Sequence, residues 1–199
     1  MNTVKKGDKF EDRVFSSISD SLKSGSLGLN PDFCNLFQKK GYYSRDRDSE
    51  IVVDISIEVW MPKANKWSFL LVCECKDYSR PIPVDDIEEF KAKLKQITGV
   101  NVKGLFVTSS AYQKGAMKYA GSNGIGLLRL LPEDQIDHVL YSMTFEQLKK
   151  MEQLRRIEYK SALINQNHIT EGSGLFAIYK GRAFDDWEQL LKIYFQNLQ

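Results

Sequence analysis

The sequence predicts an α/β fold, a mixed β-sheet with a central antiparallel hairpin, flanked by helices and followed by a mostly helical C-terminal extension. Three observations predict it. Phe10, Val14, Phe15, Ile18 and Leu22 recur at the spacing of a helix with one buried face, as do Ile87, Phe90, Leu94 and Ile97. Two runs rich in β-branched and aromatic residues, Ile51 to Trp60 and Trp67 to Cys75, are joined by the short link Met61 to Lys66. Two later apolar runs, Val102 to Val107 and Ile125 to Leu131, are separated by a helical pattern, which predicts parallel strands buried on both faces.

In chain order, the first helix spans Gly7 to Leu22 and is broken by Ser24-Gly25-Ser26-Leu27-Gly28. Pro31 suits a first helical position, and Phe33, Leu36 and Phe37 predict a short helix that ends near Gly41. The hairpin follows. Pro81 and Pro83 punctuate its exit, and Asp85 to Ile97 is a helix ending at Gly99. Then come the strand at Val102, a helix from Ala111 to Ala120, and the strand at Ile125. After Pro132 the character changes: a charged helix from Phe145 to Leu163, a short strand from Gly174 to Tyr179, and an aromatic-rich amphipathic helix from Phe184 to Leu198. This divides the chain into a first unit, residues 1–131, and an extension of unassigned role, residues 132–199.

At 199 residues, with 42% hydrophobic and 27% charged residues, the composition is that of a soluble globular protein. No apolar run approaches the roughly 18 residues that span a bilayer. The N-terminus lacks the apolar core of a signal peptide, so the cytoplasm is the expected location and no membrane partner is expected. Cys34, Cys73 and Cys75 form neither a disulfide framework nor a paired zinc spacing. Cys73 and Cys75 alternate with Glu74 and share a face with Phe69 and Leu71, as small buried hydrophobes do. The net charge of +2 does not announce a nucleic-acid binder. Basic residues do cluster locally, among them Lys39, Lys40, Arg45 and Arg47, and Lys91, Lys93 and Lys95. Each cluster alone reads as a solvated helix face.

The informative feature is Glu74-Cys75-Lys76 at the end of the second hairpin strand. Residues two apart on a strand share a face, so Glu74 and Lys76 point into one space. If the hairpin is symmetric about position 64, Asp54 lies opposite Glu74, within one residue of register. Facing side chains are about 5 Å apart at Cβ, and like charges there are destabilising. Such a pair calls for a cation or a shared proton. Mg²⁺, which takes one or two carboxylates and completes its shell with waters and phosphate, answers this economically. Lys76 adds a point charge that can orient a water or stabilise charge developing on phosphorus. The competing reading is an ion pair at a frayed strand end, with Lys76 neutralising Glu74.

Other motifs lie around this one in order. Gly7-Asp8-Lys9-Phe10-Glu11 resembles a G-x-x-F-E helix opening, and Gly104-Leu105-Phe106-Val107-Thr108-Ser109 leads into Lys114-Gly115-Ala116 and Tyr119-Ala120. With the strands carrying Asp54 and Glu74-Cys75-Lys76, they resemble the Mrr-like restriction endonuclease branch of the PD-(D/E)xK nuclease superfamily, over roughly residues 7–131. The resemblance implies an αβββαβ core, Mg²⁺-dependent hydrolysis of DNA with Mn²⁺ able to substitute, and DNA as partner. It implies that Asp54 and Glu74 hold the metal, with the Cys75 carbonyl as a further ligand. Lys76 would position the water and Glu11 would assist the metal shell. Many nucleases of this size cut both strands as homodimers, so a homodimer is one expected assembly. Two departures stand out: Val53 precedes the Asp where the family pattern has Pro, and Glu74 occupies a position where Mrr-like members often carry Gln. Two alternatives remain open, a non-catalytic DNA-binding or assembly module on the same fold and a structure-selective repair nuclease of the junction-resolvase kind.

The remaining candidates read as structural. Glu58 is expected at a solvent edge, and Glu88 and Glu89 on a solvated helix face. His138 and His168 have no ligand-spaced partner, and no P-loop or nucleophile elbow is present.

Overall fold

The computed structural model describes residues 3–24, 29–97, 101–131, 159–170, 174–180 and 182–196. Within them the chain runs α1 (Thr3–Lys23), a 3-10 turn (Pro31–Phe33), β1 (Cys34–Ser44), β2 (Ser49–Val59), β3 (Phe69–Lys76), α2 (Val84–Gln96), β4 (Val102–Thr108), α3 (Lys114–Ser122) and β5 (Gly126–Leu130). Residues 159–164 form α4, and β6 (Leu175–Tyr179), β7 (Arg182–Phe184) and α5 (Trp187–Gln196) follow. The described strands make one seven-stranded sheet whose spatial order is the chain order, β1 to β7. Strands β1, β2 and β3 are antiparallel, β3, β4 and β5 parallel, and β5, β6 and β7 antiparallel. This is the predicted mixed α/β sheet, with β2 and β3 as the hairpin and β4 and β5 as the parallel pair.

One element differs in kind. The helix expected from Pro31 to Gly41 exists only as the 3-10 turn, where the Asn30 side chain accepts the Asp32 N–H at 3.0 Å. From Cys34 the chain becomes β1, paired with β2 at ten positions. Leu36, Phe37, Tyr42 and Tyr43 suit a pleated surface, and a full ladder outweighs three apolar residues at helical spacing. β1 supplies the strand that completes the αβββαβ core.

Helices cover both faces of the sheet. On one, Phe10, Val14, Ile18 and Leu22 of α1 and Trp187, Leu190 and Leu191 of α5 pack on Ile55, Ile57, Leu71, Cys73 and Val107. On the other, Ile87, Phe90 and Leu94 of α2, Ala116 and Ala120 of α3, and Ala162 and Leu163 of α4 pack on Leu70, Val72, Phe106 and Leu127. Gly104 lets α2 approach β4, because a Cβ there would lie 2.2 Å from Leu94 and 2.8 Å from Phe90. Strand β3 is buried on both sides, with Leu70, Leu71, Val72 and Cys73 fully enclosed. Fully burying each Leu or Val side chain contributes about 1.5–3 kcal/mol. A rigid, two-sided strand thus delivers Glu74 and Lys76 to its end.

The described part of the extension joins this sheet, since β6 pairs with β5. Arg129 of β5 fastens α4 and the segment after it. Its guanidinium donates to the main-chain carbonyls of Ser109 (3.1 Å), Asn165 (2.6 Å), Gln166 (3.1 Å) and Ala162. Of the charged helix expected from Phe145 to Leu163, residues 145–158 lie outside the described residues, and residues 159–163 are helical.

Candidate active site

The hairpin register is the one that symmetry about position 64 requires: Ile55 pairs with Cys73 and Ser56 with Val72. The β2–β3 ladder ends there, one step short of Asp54 and Glu74. Beyond it the Asp54 carboxylate takes a main-chain donor itself, with Oδ2 accepting the Cys75 N–H at 2.8 Å. On the other side of β2, Gln38 pairs with Ile55 and Lys40 with Val53, and the pair between them, Lys39 and Asp54, is missing from the ladder. Lys39 there adopts a left-handed φ of 53°. The break reverses the alternation of β2: Ile55 packs on the α1 side, whereas Val53 packs on the α2 side. Asp54 sits at the reversal.

Lys39 bridges two carboxylates across this break. Its Nζ lies 2.5 Å from Glu11 Oε2 and 2.9 Å from Asp54 Oδ1. Gln38 Nε2 holds Glu11 Oε1 at 3.1 Å, which fixes α1 against β1. Burial and the nearby Asp54 charge raise the Glu11 carboxyl above its usual range, although the Lys39 and Gln38 hydrogen bonds oppose this. Burial works against the Lys39 ammonium, yet its bonds to Glu11 and Asp54 hold it above the usual lysine range. An ammonium thus stands between the Glu11 and Asp54 carboxylates.

Glu74 is buried and carries two further ammonium groups, Lys93 of α2 at 2.6 Å on Oε2 and Lys76 at 3.2 Å on Oε1. Burial works against the Lys76 ammonium, but the charge and hydrogen bond of Glu74 raise it, with help from Tyr78 and Asp54. Burial raises the Cys75 thiol, and the charges of Asp54, Glu11 and Glu74 all add to that. Four residues singled out in the sequence, Glu11, Asp54, Glu74 and Lys76, therefore lie around one strand end.

Sequence reasoning missed three side chains here. Lys39 and Lys93 belong to basic clusters read as solvated, and Lys39 lies in the segment expected to be helical. Asp86, in the first turn of α2, has a buried Oδ2 with no hydrogen-bond partner among the described residues. Burial raises its carboxyl, and the Lys76 charge opposes the rise. Lys93 stands between Lys91 and Lys95 on α2, and nothing in the sequence distinguishes it from those two neighbours as inward-facing.

The strand that follows locks the exit from β3. Lys76 is paired with Thr108. Ser109 Oγ donates to the Asp77 carboxylate and Ser110 Oγ to the Tyr78 carbonyl. The Thr108-Ser109 motif thereby fixes the chain immediately after Lys76.

Glu58 is a correction. It is 3% exposed rather than at a solvent edge, with Lys40 Nζ at 2.6 Å, the Tyr42 hydroxyl at 3.0 Å and Trp60 Nε1 at 3.1 Å. Strand β1, unforeseen in the sequence, covers it and supplies Lys40 and Tyr42. Glu88 and Glu89 are exposed as expected, and Cys73 is a buried core residue. His168 is buried edge-on to the Phe176 ring at 5.3 Å, and His138 lies outside the described residues.

A family model described as a restriction endonuclease, Mrr_cat, matches residues 33–140. The chain belongs to this family. It thus carries a nuclease domain of the restriction endonuclease type, and the match spans Asp54, Glu74 and Lys76. Glu11 and α1 precede the matched span. Neither the curated proteins nor the solved structures searched gave a match to the chain.

Asp54 and Glu74 offer carboxylate oxygens, the donor type a hard divalent cation takes, and among the described residues no group of three or more His, Cys, Asp or Glu side chains is placed to hold a metal ion. Two carboxylates with the rest of the shell left to water and substrate are what Mg²⁺ needs. No described helix is long and apolar enough to cross a membrane.

Proposed function

We propose that the protein is a Mg²⁺-dependent endodeoxyribonuclease that hydrolyses DNA phosphodiester bonds at the Asp54–Glu74–Lys76 corner. The observation that carries this reading is Lys76, fixed at the end of a buried strand, beside Glu74 and within the field of Asp54. Asp54 and Glu74 would hold the metal, with the Cys75 carbonyl as a further ligand and Glu11 assisting from α1. When bound, the metal would polarise a phosphodiester oxygen and lower the pKa of a water.

The chain's own groups do the rest. The Cys75 N–H orients the Asp54 carboxylate, and Lys93 orients Glu74. Lys76, as an ammonium, holds a water for attack and stabilises charge growing on the phosphoryl oxygens. Ser109 and Ser110 keep the segment behind it from shifting. Phosphate contacts elsewhere on the surface would make affinity fall with salt.

Nicking of supercoiled plasmid in Mg²⁺ or Mn²⁺ tests this. The expected result is cleavage by the wild type, stopped by EDTA and lost in Lys76→Ala and Asp54→Ala. Undiminished cleavage in both variants would sink the proposal.

One observation favours a second reading, a non-catalytic DNA-binding module. Each carboxylate already has an ammonium partner: Glu11 and Asp54 share Lys39, and Glu74 has Lys76 and Lys93. Under that reading Asp54→Asn retains DNA binding and the wild type takes up no Mn²⁺.

A further inference from the structure

A cavity of about 410 Å³ lies away from the corner, at the opposite ends of the parallel strands. Lys103 lines it and pairs with Leu71, whereas Lys76 pairs with Thr108. From 103 to 108 is five residues of β4, about 16 Å at the rise of a strand. The two regions therefore sit at opposite ends of the same pair of strands.

Four lysines from separate parts of the chain line this cavity. Lys91 and Lys95 come from α2, Lys103 from the start of β4, and Lys180 from the turn between β6 and β7. Asn101 and Asn123 complete the polar wall, and no carboxylate lines it among the described residues. The cavity is built by turns held in unusual conformations: Asn101, Gly124 and Lys180 have φ of 63°, 65° and 48°. Left-handed backbone at non-glycine residues is costly and gathers where a ligand is gripped. Lys91 and Lys103 are half-buried, and Lys91 Nζ donates to the Asn123 carbonyl at 3.3 Å. Burial, and then the charges of Lys95 and Lys103, hold the Lys91 ammonium below the usual lysine range.

Solvated lysines on a convex face spread apart, whereas these line one concavity with no counter-charge among the described residues. Holding like charges together opposes folding, and an anion entering the space removes that cost. Several ammonium groups match the multiple oxygens and charges of phosphate. Lysines are point charges without a planar fork, which suits phosphate oxygens rather than the edge of a base. We propose that this cavity is a phosphate-binding site, separate from the Asp54–Glu74–Lys76 corner. The site takes either phosphates of a nucleic-acid backbone or a free polyphosphate, and it stands whether or not the corner cleaves DNA.

The test is calorimetric titration of inorganic pyrophosphate into the full chain in metal-free buffer, so that no metal bridges it to the carboxylate corner. The wild type is expected to bind, and Lys91→Gln/Lys103→Gln to bind about tenfold more weakly or worse. Lys63→Gln/Lys66→Gln, on the link between β2 and β3, is expected to match the wild type. The double variant in the cavity should melt no lower than the wild type, because repulsion is relieved. Should it fail to fold, the exposed Lys95→Gln is expected to show a several-fold loss alone. An absence of wild-type binding, an undiminished affinity in the cavity variants, or an equal loss in the Lys63/Lys66 control would overturn the proposal. A duplex DNA arm then identifies the source. If backbone phosphates occupy the cavity, the double variant lowers the salt slope of DNA binding by about two. If a free polyphosphate does, that slope is unchanged while the pyrophosphate loss persists.

Discussion

Lys76 and Arg129 flank the same residue: Thr108 of β4 pairs with Lys76 on one side and Arg129 on the other. Their environments are opposite. Arg129 is fully buried and satisfied by main-chain carbonyls from three segments, which cannot rearrange without unfolding α4 and its exit. Lys76 keeps 30% of its side chain exposed and is satisfied by a carboxylate that Lys93 shares. A cation held by backbone is a structural fastening. A cation held by a side-chain carboxylate at a strand end can exchange that partner for a metal and a phosphate.

The largest expected effect breaks the fastening. Arg129→Met is expected to cost about 3–5 kcal/mol in urea denaturation, because several buried carbonyls lose their donor. Arg129→Lys should recover little of this, since one ammonium cannot replace the fork. If Arg129→Met costs no more than a surface substitution, the contrast between the two cations fails.

The complementary change falls on Lys76. Lys76→Ala is expected to lower the cleavage rate about 10²–10³-fold, as removing a preorganised charge-stabilising group does. Its urea midpoint should move little, because the side chain is partly solvated. A large loss of stability with unaltered cleavage would assign Lys76 to the scaffold with Arg129.

Glu58 sharpens the comparison from the scaffold side. Its carboxylate is as buried as that of Glu74, but Lys40, Tyr42 and Trp60 enclose it. Glu58→Gln is expected to cost about 1–3 kcal/mol in denaturation while metal binding stays intact. The smallest effect concerns Lys39, which is 51% exposed and bridges Glu11 and Asp54. Exposed ion pairs contribute about 0.2–1 kcal/mol, so Lys39→Met should tighten Mn²⁺ binding by about fivefold at most.

How legible these regions were follows from how local their signals are. The hairpin register needed only the two strands and their link, and Ile55↔Cys73 follows from symmetry about position 64. The parallel strands β4 and β5 were legible as continuous apolar runs. Strand β1 was not, because its exposed and half-buried residues do not alternate cleanly, and Pro31 supplied a real but three-residue helical start. Losing β1 concealed Lys39 as a partner of Asp54 and left Glu58 looking exposed. Arg129 reads as one charge in an apolar strand, and its partners at Ala162, Asn165 and Gln166 lie more than thirty residues away. Such a long-range fastening leaves no spacing pattern. The Asp54, Glu74 and Lys76 candidates were legible because two neighbouring strands carry them.

Titrating Mn²⁺ by calorimetry into the wild type, Asp54→Asn and Glu74→Gln tests the metal corner most directly. Site-dependent binding by the wild type is expected, lost in both variants while each remains folded by circular dichroism. Binding that is absent from the folded wild type, or unchanged in both variants, would contradict it.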